Sequence, residues 1–179
     1  MYSVAIWTPD CEKTSHKFCY DNTMKWQPSN IIKVYEALGS LADGRVEVSG
    51  NSAKVYSSSG NKYYDVIYDP ATNAITSNDN ASYYVGYLGY PSICLLLALG
   101  VVDHDDKLGK YLKGFMWKDI NQKFKNDFGK TQAYIDEQIV AKHQIDLDEF
   151  HASLQKILDE VNGLKLDKLA ATAKPPKAY

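Results

Sequence analysis

Apolar residues recur at helical spacing in two long stretches of the chain. Ile31, Val34, Tyr35, Leu38 and Leu41 form one stripe, preceded by Pro28-Ser29 and stopped by Gly44. This predicts a helix over 30–42, packed by its stripe onto the rest of the fold. Leu147, Phe150, Leu154, Ile157, Leu158, Val161 and Leu164 form the second stripe. Asp146 and Glu149 stand where a capping box would start that helix. A further helix is expected from Thr131, as its cap, to about Lys142, with Tyr134, Ile135 and Ile139 inward. Between these helical regions the period changes to two. Arg45–Ser49, Lys54–Ser57, Lys62–Asp69 and Ala74–Thr76 read as strands, rich in Val, Ile and Tyr. In Lys62–Asp69, Tyr64, Val66 and Tyr68 share one face and Tyr63, Asp65 and Ile67 the other. Ser59-Gly60-Asn61 and Asp69-Pro70 to Asn73 supply the turns. A weak alternation at Ser3–Trp7 adds one more candidate strand.

Ile93–Leu99 is apolar all round, with Pro91 before it and Gly100 after it. Pro suits the first helical turn and Gly the stop. A helix without a polar face is buried on several sides, so this one is expected at the centre of the core. Each buried leucine would contribute about 1.5–3 kcal/mol. Ser77-Asn78-Asp79-Asn80 precedes it, four side chains that favour hydrogen bonds to nearby backbone.

The order of strand pair, polar knuckle, loop and Gly89-Tyr90-Pro91 at the head of an apolar helix resembles the SWIM-type zinc finger. The resemblance covers residues 53–100. It places the family's ligand positions on Ser77, Asp79, Ser92 and Cys94. Structural zinc is held mainly by thiolates and imidazoles. The resemblance therefore implies a degenerate finger that lacks its zinc ligands, and no metal is expected. An ordinary βββα unit with Tyr-rich packing is the other reading of the same stretch.

Strands come first and helices follow, which argues against alternating βαβ winding. The expected class is α+β: a small antiparallel sheet with an N-terminal helix and a C-terminal set of helices. One domain is expected over 1–168, its sheet-containing part at 3–100 and its helical part at 103–168. Residues 169–179, with two adjacent prolines, are expected to be a disordered tail. The chain's 179 residues are 45% hydrophobic and carry a net charge of −2, so the whole molecule has no polyanion-binding signature. Three cysteines argue against a disulfide framework. The N-terminus has no basic region followed by an apolar run. The longest uncharged apolar run falls short of the ~20 residues that cross a bilayer. These features lead to the expectation of a cytoplasmic protein without membrane partners.

Candidate chemistry is sparse. Cys11, His16 and Cys19 are close in sequence, but their spacing fits no common zinc knuckle. Asp103-His104-Asp105-Asp106 is better explained as an acidic helix start than as a metal site. Arg45, the only arginine, is expected in a surface ion pair, with a bidentate grip on an anion as its other use. His143 and His151 are expected at the surface or as caps. Asp79 and Cys94 would form a reactive pair only by meeting in one cleft. There is no Gly-rich phosphate loop, His-Glu-x-x-His or nucleophile elbow, and no cofactor is expected.

The segment Lys107–Lys130 holds seven lysines against two aspartates in a chain that is otherwise acidic. Leu108, Tyr111, Leu112, Phe115, Ile120 and Phe124 can face the core. Lys107, Lys110, Lys113, Lys118, Lys123 and Lys125 would then face solvent. With Trp117 exposed among them, they would track a phosphate backbone and stack bases. An amphipathic helix solvated by lysine is the alternative. The expected function is a non-catalytic binding module contacting nucleic acid. The alternative is a protein-interaction or assembly subunit, with a protein partner or a second copy of the chain, and an enzyme comes last. If the lysines meet phosphates, changing Lys110, Lys113, Lys118 and Lys123 to Gln weakens binding of labelled oligonucleotides and flattens its salt dependence. No binding by the intact chain at micromolar concentration rules this use out.

Overall fold

The computed structural model describes residues 25–169 and 173–177. The candidate strand Ser3–Trp7, the Cys11, His16 and Cys19 group and part of the expected tail lie outside them. Residues 173–177 carry no regular secondary structure.

Helix α1 (Ile31–Ala42) starts at Asn30, whose side chain accepts from the Ile32 amide at 3.0 Å. Four strands follow: β1 (Val46–Ser49), β2 (Ser52–Tyr56), β3 (Tyr63–Asp69) and β4 (Ala74–Ser77). They pair in sequence order, each antiparallel to the last. Tyr64, Val66 and Tyr68 of β3 are buried and Tyr63, Asp65 and Ile67 exposed, as the alternation predicts. The β3–β4 turn is held by Asp69, whose carboxylate accepts from the Ala71 amide and the Thr72 hydroxyl. Helix α2 (Tyr90–Ala98) carries Pro91 in its first turn and is buried from Pro91 to Leu97. The helical part comprises α3 (Asp106–Tyr111), α4 (Trp117–Lys123), α5 (Phe128–His143) and α6 (Leu147–Gly163). Asp105 caps α3, accepting from the Lys107 amide, and Asp146 caps α6, accepting from the Asp148 and Glu149 amides.

The fold is therefore α+β, with an N-terminal helix, a sheet of five strands among the described residues and several C-terminal helices. Two details differ from the sequence reading. Asp167–Lys168 forms a short β5 parallel to β4, which makes the sheet mixed. A two-residue strand has no periodicity to detect. Helix α5 begins three residues before Thr131, capped by Asp127, whose side chain accepts from the Lys130 amide. Thr131 is buried one turn into that helix.

α2 lies on the sheet, touching β1 to β4, and α1 packs across α2 on the other side. α1 also meets α3, α5 and α6. A single apolar cluster joins Val55, Val66 and Ile75 of the strands to Leu95 and Leu96 of α2. It continues through Leu38 of α1 into Ile135, Ile139, Leu154 and Ile157 of the last two helices. The sheet-containing and helical parts thus share one core. A polar link, buried at Tyr35 and Asp136 and partly exposed at His151, reinforces the helical side. The Tyr35 hydroxyl donates to Asp136 Oδ1 at 2.8 Å, and His151 Nε2 lies 2.9 Å from Asp136 Oδ2. This joins α1, α5 and α6, and burial followed by the Asp136 charge pushes the Tyr35 phenol pKa up.

Gly39 sets the approach of the α3–α4 region to α1. A Cβ there would meet the Leu112 carbonyl oxygen at 2.8 Å and the Trp117 indole nitrogen at 3.0 Å. The missing side chain lets the indole lie down on α1.

Leu96 has no exposed surface. Leu96→Asp places an unpaired charge in this core and is expected to leave the chain unfolded. Leu96→Ala is expected to keep the fold and to cost about 2–5 kcal/mol in urea denaturation. A soluble Leu96→Asp protein with an unchanged melting temperature would show that α2 is not central.

Candidate functional site

Because α2 stands between α1 and the sheet, α1 is held off the strands, and the space at one end of α2 is left open. A cleft of about 610 Å³ occupies it, within the size range of small-molecule sites. One wall is α1, through Lys33, Glu36 and Ser40. A second is the end of β2 and its loop into β3, through Ser57, Ser58, Lys62 and Tyr64. The third is the run from Asp79 to Tyr90, and α4 with its flank closes the fourth through Trp117, Lys118 and Asn121.

The α1 wall is charged and buried. Lys33 Nζ donates to Glu36 Oε1 at 2.9 Å, one turn along the helix. Asn121 Nδ2 of α4 donates to the same oxygen at 2.9 Å. Lys33 Nζ also lies 4.8 Å from the centre of the Phe128 ring. Burial acts to lower the Lys33 pKa, but the Glu36 charge and hydrogen bond, with smaller contributions from Tyr87 and Asp79, outweigh it, and the net shift is upward. Burial, then the Asp79 and Glu36 charges, push the Tyr64 phenol up to about 12. Burial raises the Tyr90 phenol well above its usual value and that of Tyr87 less.

Asp79 organises the third wall. Its Oδ1 accepts from the Ala81 and Ser82 amides at 2.9 and 3.1 Å, and its Oδ2 accepts from the Ser82 hydroxyl at 2.5 Å. The Asp79 amide in turn donates to Ser77 Oγ at 3.4 Å. These bonds start a π-helical turn, Ala81–Val85, that ends at Gly86 in the left-handed region. Such turns are rare and are frequent at functional sites. The turn projects Tyr84, 69% exposed, and Val85 at the rim. Gly89 packs directly on Asp79, and a Cβ at that position would overlap the carboxylate. Burial raises the Asp79 pKa against the opposing effect of its hydrogen bonds from Ser82, Ser77 and the backbone.

The cleft gathers only part of the chemistry expected from sequence. Lys118 lines it, while Lys107, Lys110, Lys113, Lys123 and Lys125 are exposed elsewhere. Lys123 Nζ rests 4.4 Å from the Tyr134 ring centre. Trp117 is not an exposed stacking platform: it is 4% exposed, covered by α1 at Gly39. Arg45 is not at the surface either. It lines the cleft while its Nε pairs with Asp43 at 3.1 Å and its Nη1 donates to the Tyr56 carbonyl. Asp79 and Cys94 do not share a cleft. Cys94 is wholly buried in α2, its thiol directed at the Ala37 carbonyl and raised to about 12 by burial. Ser77 and Ser92 are buried as well. Among the described residues, no three His, Cys, Asp or Glu side chains are grouped to hold a metal ion.

Sequence reasoning missed Lys33, Glu36 and the tyrosines at positions 87 and 90. The one local signal was the Lys-x-x-Glu spacing on the polar side of the α1 stripe, which also describes a solvated face.

Fold and cleft together define an α+β protein with a charged cavity beside its central helix. The chain belongs to the family described as Uncharacterised conserved protein UCP014422, whose model matches residues 26–167. Every residue lining the cleft falls within that span. Neither the curated proteins nor the solved structures contain a match. No helix of the described residues is long and apolar enough to cross a membrane.

The raised Asp79 pKa has a defined consequence for stability. The folded state binds this proton more tightly than the unfolded chain, whose carboxyl titrates near 3.8. The contribution is therefore present below that pH and is lost as pH rises through the folded value. Asp79→Asn is expected to remove this loss, so its stability relative to the parent increases with pH in urea denaturation. Asp79→Ala strands the amides of the π-turn and lowers the melting temperature at every pH. A constant difference between Asp79→Asn and the parent from about pH 4 to 7 would contradict the sign of the shift.

Proposed function

We propose that the protein is a non-catalytic binding module whose ligand is a small polar molecule held in the cleft. The observation that carries this reading is the buried Lys33–Glu36 pair on the cleft wall, with Asn121 as a third partner. Removing two charges from water is costly, and a buried pair gives little net stability over apolar packing. A ligand site gives that pair a use, since buried polar groups orient ligands and supply specificity. Binding is favoured over proton transfer by the state of the groups. Lys33, Tyr64 and Tyr90 are all shifted upward and stay protonated near neutral pH. Both Asp79 oxygens are engaged in holding the π-turn.

Contact with nucleic acid is a second reading, supported by Lys107, Lys110 and Lys113. They are exposed at and just beyond α3, and none forms an ion pair among the described residues. It no longer includes base stacking on Trp117. The oligonucleotide titration above decides it.

The cleft reading is tested by a fragment screen with equal numbers of neutral, cationic and anionic molecules, followed by amide chemical shifts. Hits are expected to move the amides of Lys33, Glu36, Ser57, Ser58 and Asn121 together. If no fragment of any charge perturbs these amides at millimolar concentration, the cleft is not a binding site.

A further inference from the structure

We propose that the cleft is selective for small molecules that join one anionic group, a carboxylate or a phosphate, to a flat neutral body, the anion lying between Lys62 and Lys118. This rests on the cleft being a ligand site and adds the class of ligand.

The charges around the cleft lead to this assignment. Four cationic side chains line it against two carboxylates. Lys33 is offset by Glu36, and Arg45 by Asp43 outside the cleft. Asp79 is surrounded by its own donors from Ala81 and Ser82. Lys62 and Lys118 are left, half-buried and without an ion pair among the described residues. They come from different elements that both line the cleft. The Lys118 amide donates to Ser58 Oγ at 3.0 Å, which ties α4 to the β2–β3 loop that carries Lys62. The Lys62 ammonium is drawn over the Tyr64 ring, 5.1 Å from its centre, and so leans toward the cleft wall. Two unpaired cations beside low-dielectric walls concentrate positive potential there, although the whole chain is acidic. Besides Tyr64, which lies under the Lys62 ammonium, the lining presents Tyr87, Tyr90 and Phe128, which suit the face of a flat neutral group. Glu36 and Asn121 add hydrogen-bonding capacity beside those rings.

The test uses four probes that share one ring and differ in charge: phenyl phosphate, benzoate, benzyl alcohol and benzylammonium. Affinities are read from the cleft amide shifts. Phenyl phosphate and benzoate are expected to bind at least roughly tenfold more tightly than benzyl alcohol, the scale of a charge-assisted contact, and benzylammonium most weakly. Lys62→Gln with Lys118→Gln is expected to erase the anion advantage and leave benzyl alcohol unchanged. Lys62→Arg with Lys118→Arg should retain it, and an unaltered melting temperature in both double variants excludes misfolding as the cause. Comparing the two anionic probes shows which group is preferred. The proposal is overturned if benzyl alcohol or benzylammonium binds as tightly as the anions. It is equally overturned if the Gln variant keeps the preference. If the broad fragment screen marks the cleft but none of these four probes binds, the ligand class is wrong and the cleft reading stands. Silence in the broad screen removes both.

Discussion

Helix α2 has no polar face, and every other part of the structure adjusts to that. A helix of this kind has to be covered on all sides. The sheet covers one side with Val55, Val66 and Ile75, and α1 covers the opposite one. α1 is thereby placed in the middle of the molecule, with α3, α5 and α6 on its outer side. Its apolar stripe alone does not suffice for that position. Lys33, Glu36 and Ser40 come inside with it and are buried along with Leu38.

The polar groups carried inward have to be satisfied locally, because water no longer serves them. Lys33 and Glu36 do this for one another, Ser40 bonds back to the Glu36 carbonyl, and Asn121 reaches in from α4. Asp79 solves the same problem at the other wall by accepting from the turn that follows it. The cleft lies between these two arrangements, where α2 ends and neither α1 nor the sheet fills the space. Fold and site therefore have one origin. A fully apolar central helix drives burial of its neighbour, and the neighbour's charged side chains become the wall of a cavity.

Much of the architecture was legible because it is local. The stripes of α1 and α6, the alternation in β3, the turn at Asn73 and the caps at Asp105 and Asp146 all depend on residues within a few positions of one another. Failures came where a distant partner decided the outcome. Trp117 stands among lysines and reads as exposed, yet the absent side chain at Gly39 opens a seat for its ring. Arg45 reads as a surface charge until the Tyr56 carbonyl of the neighbouring strand draws it inward. Two residues at Asp167–Lys168 become a strand only because β4 offers an edge.

The sequence by itself determined the α+β class, the order of strands and helices, and the central place of the Ile93–Leu99 stretch, since short-range periodicity and transfer of apolar surface from water specify these. Tertiary structure alone decided the site. Whether a Lys-x-x-Glu pair lies in water or on a cavity wall depends on what covers the outer side of its helix. That cover comes from chain roughly a hundred residues away, and no local pattern encodes it.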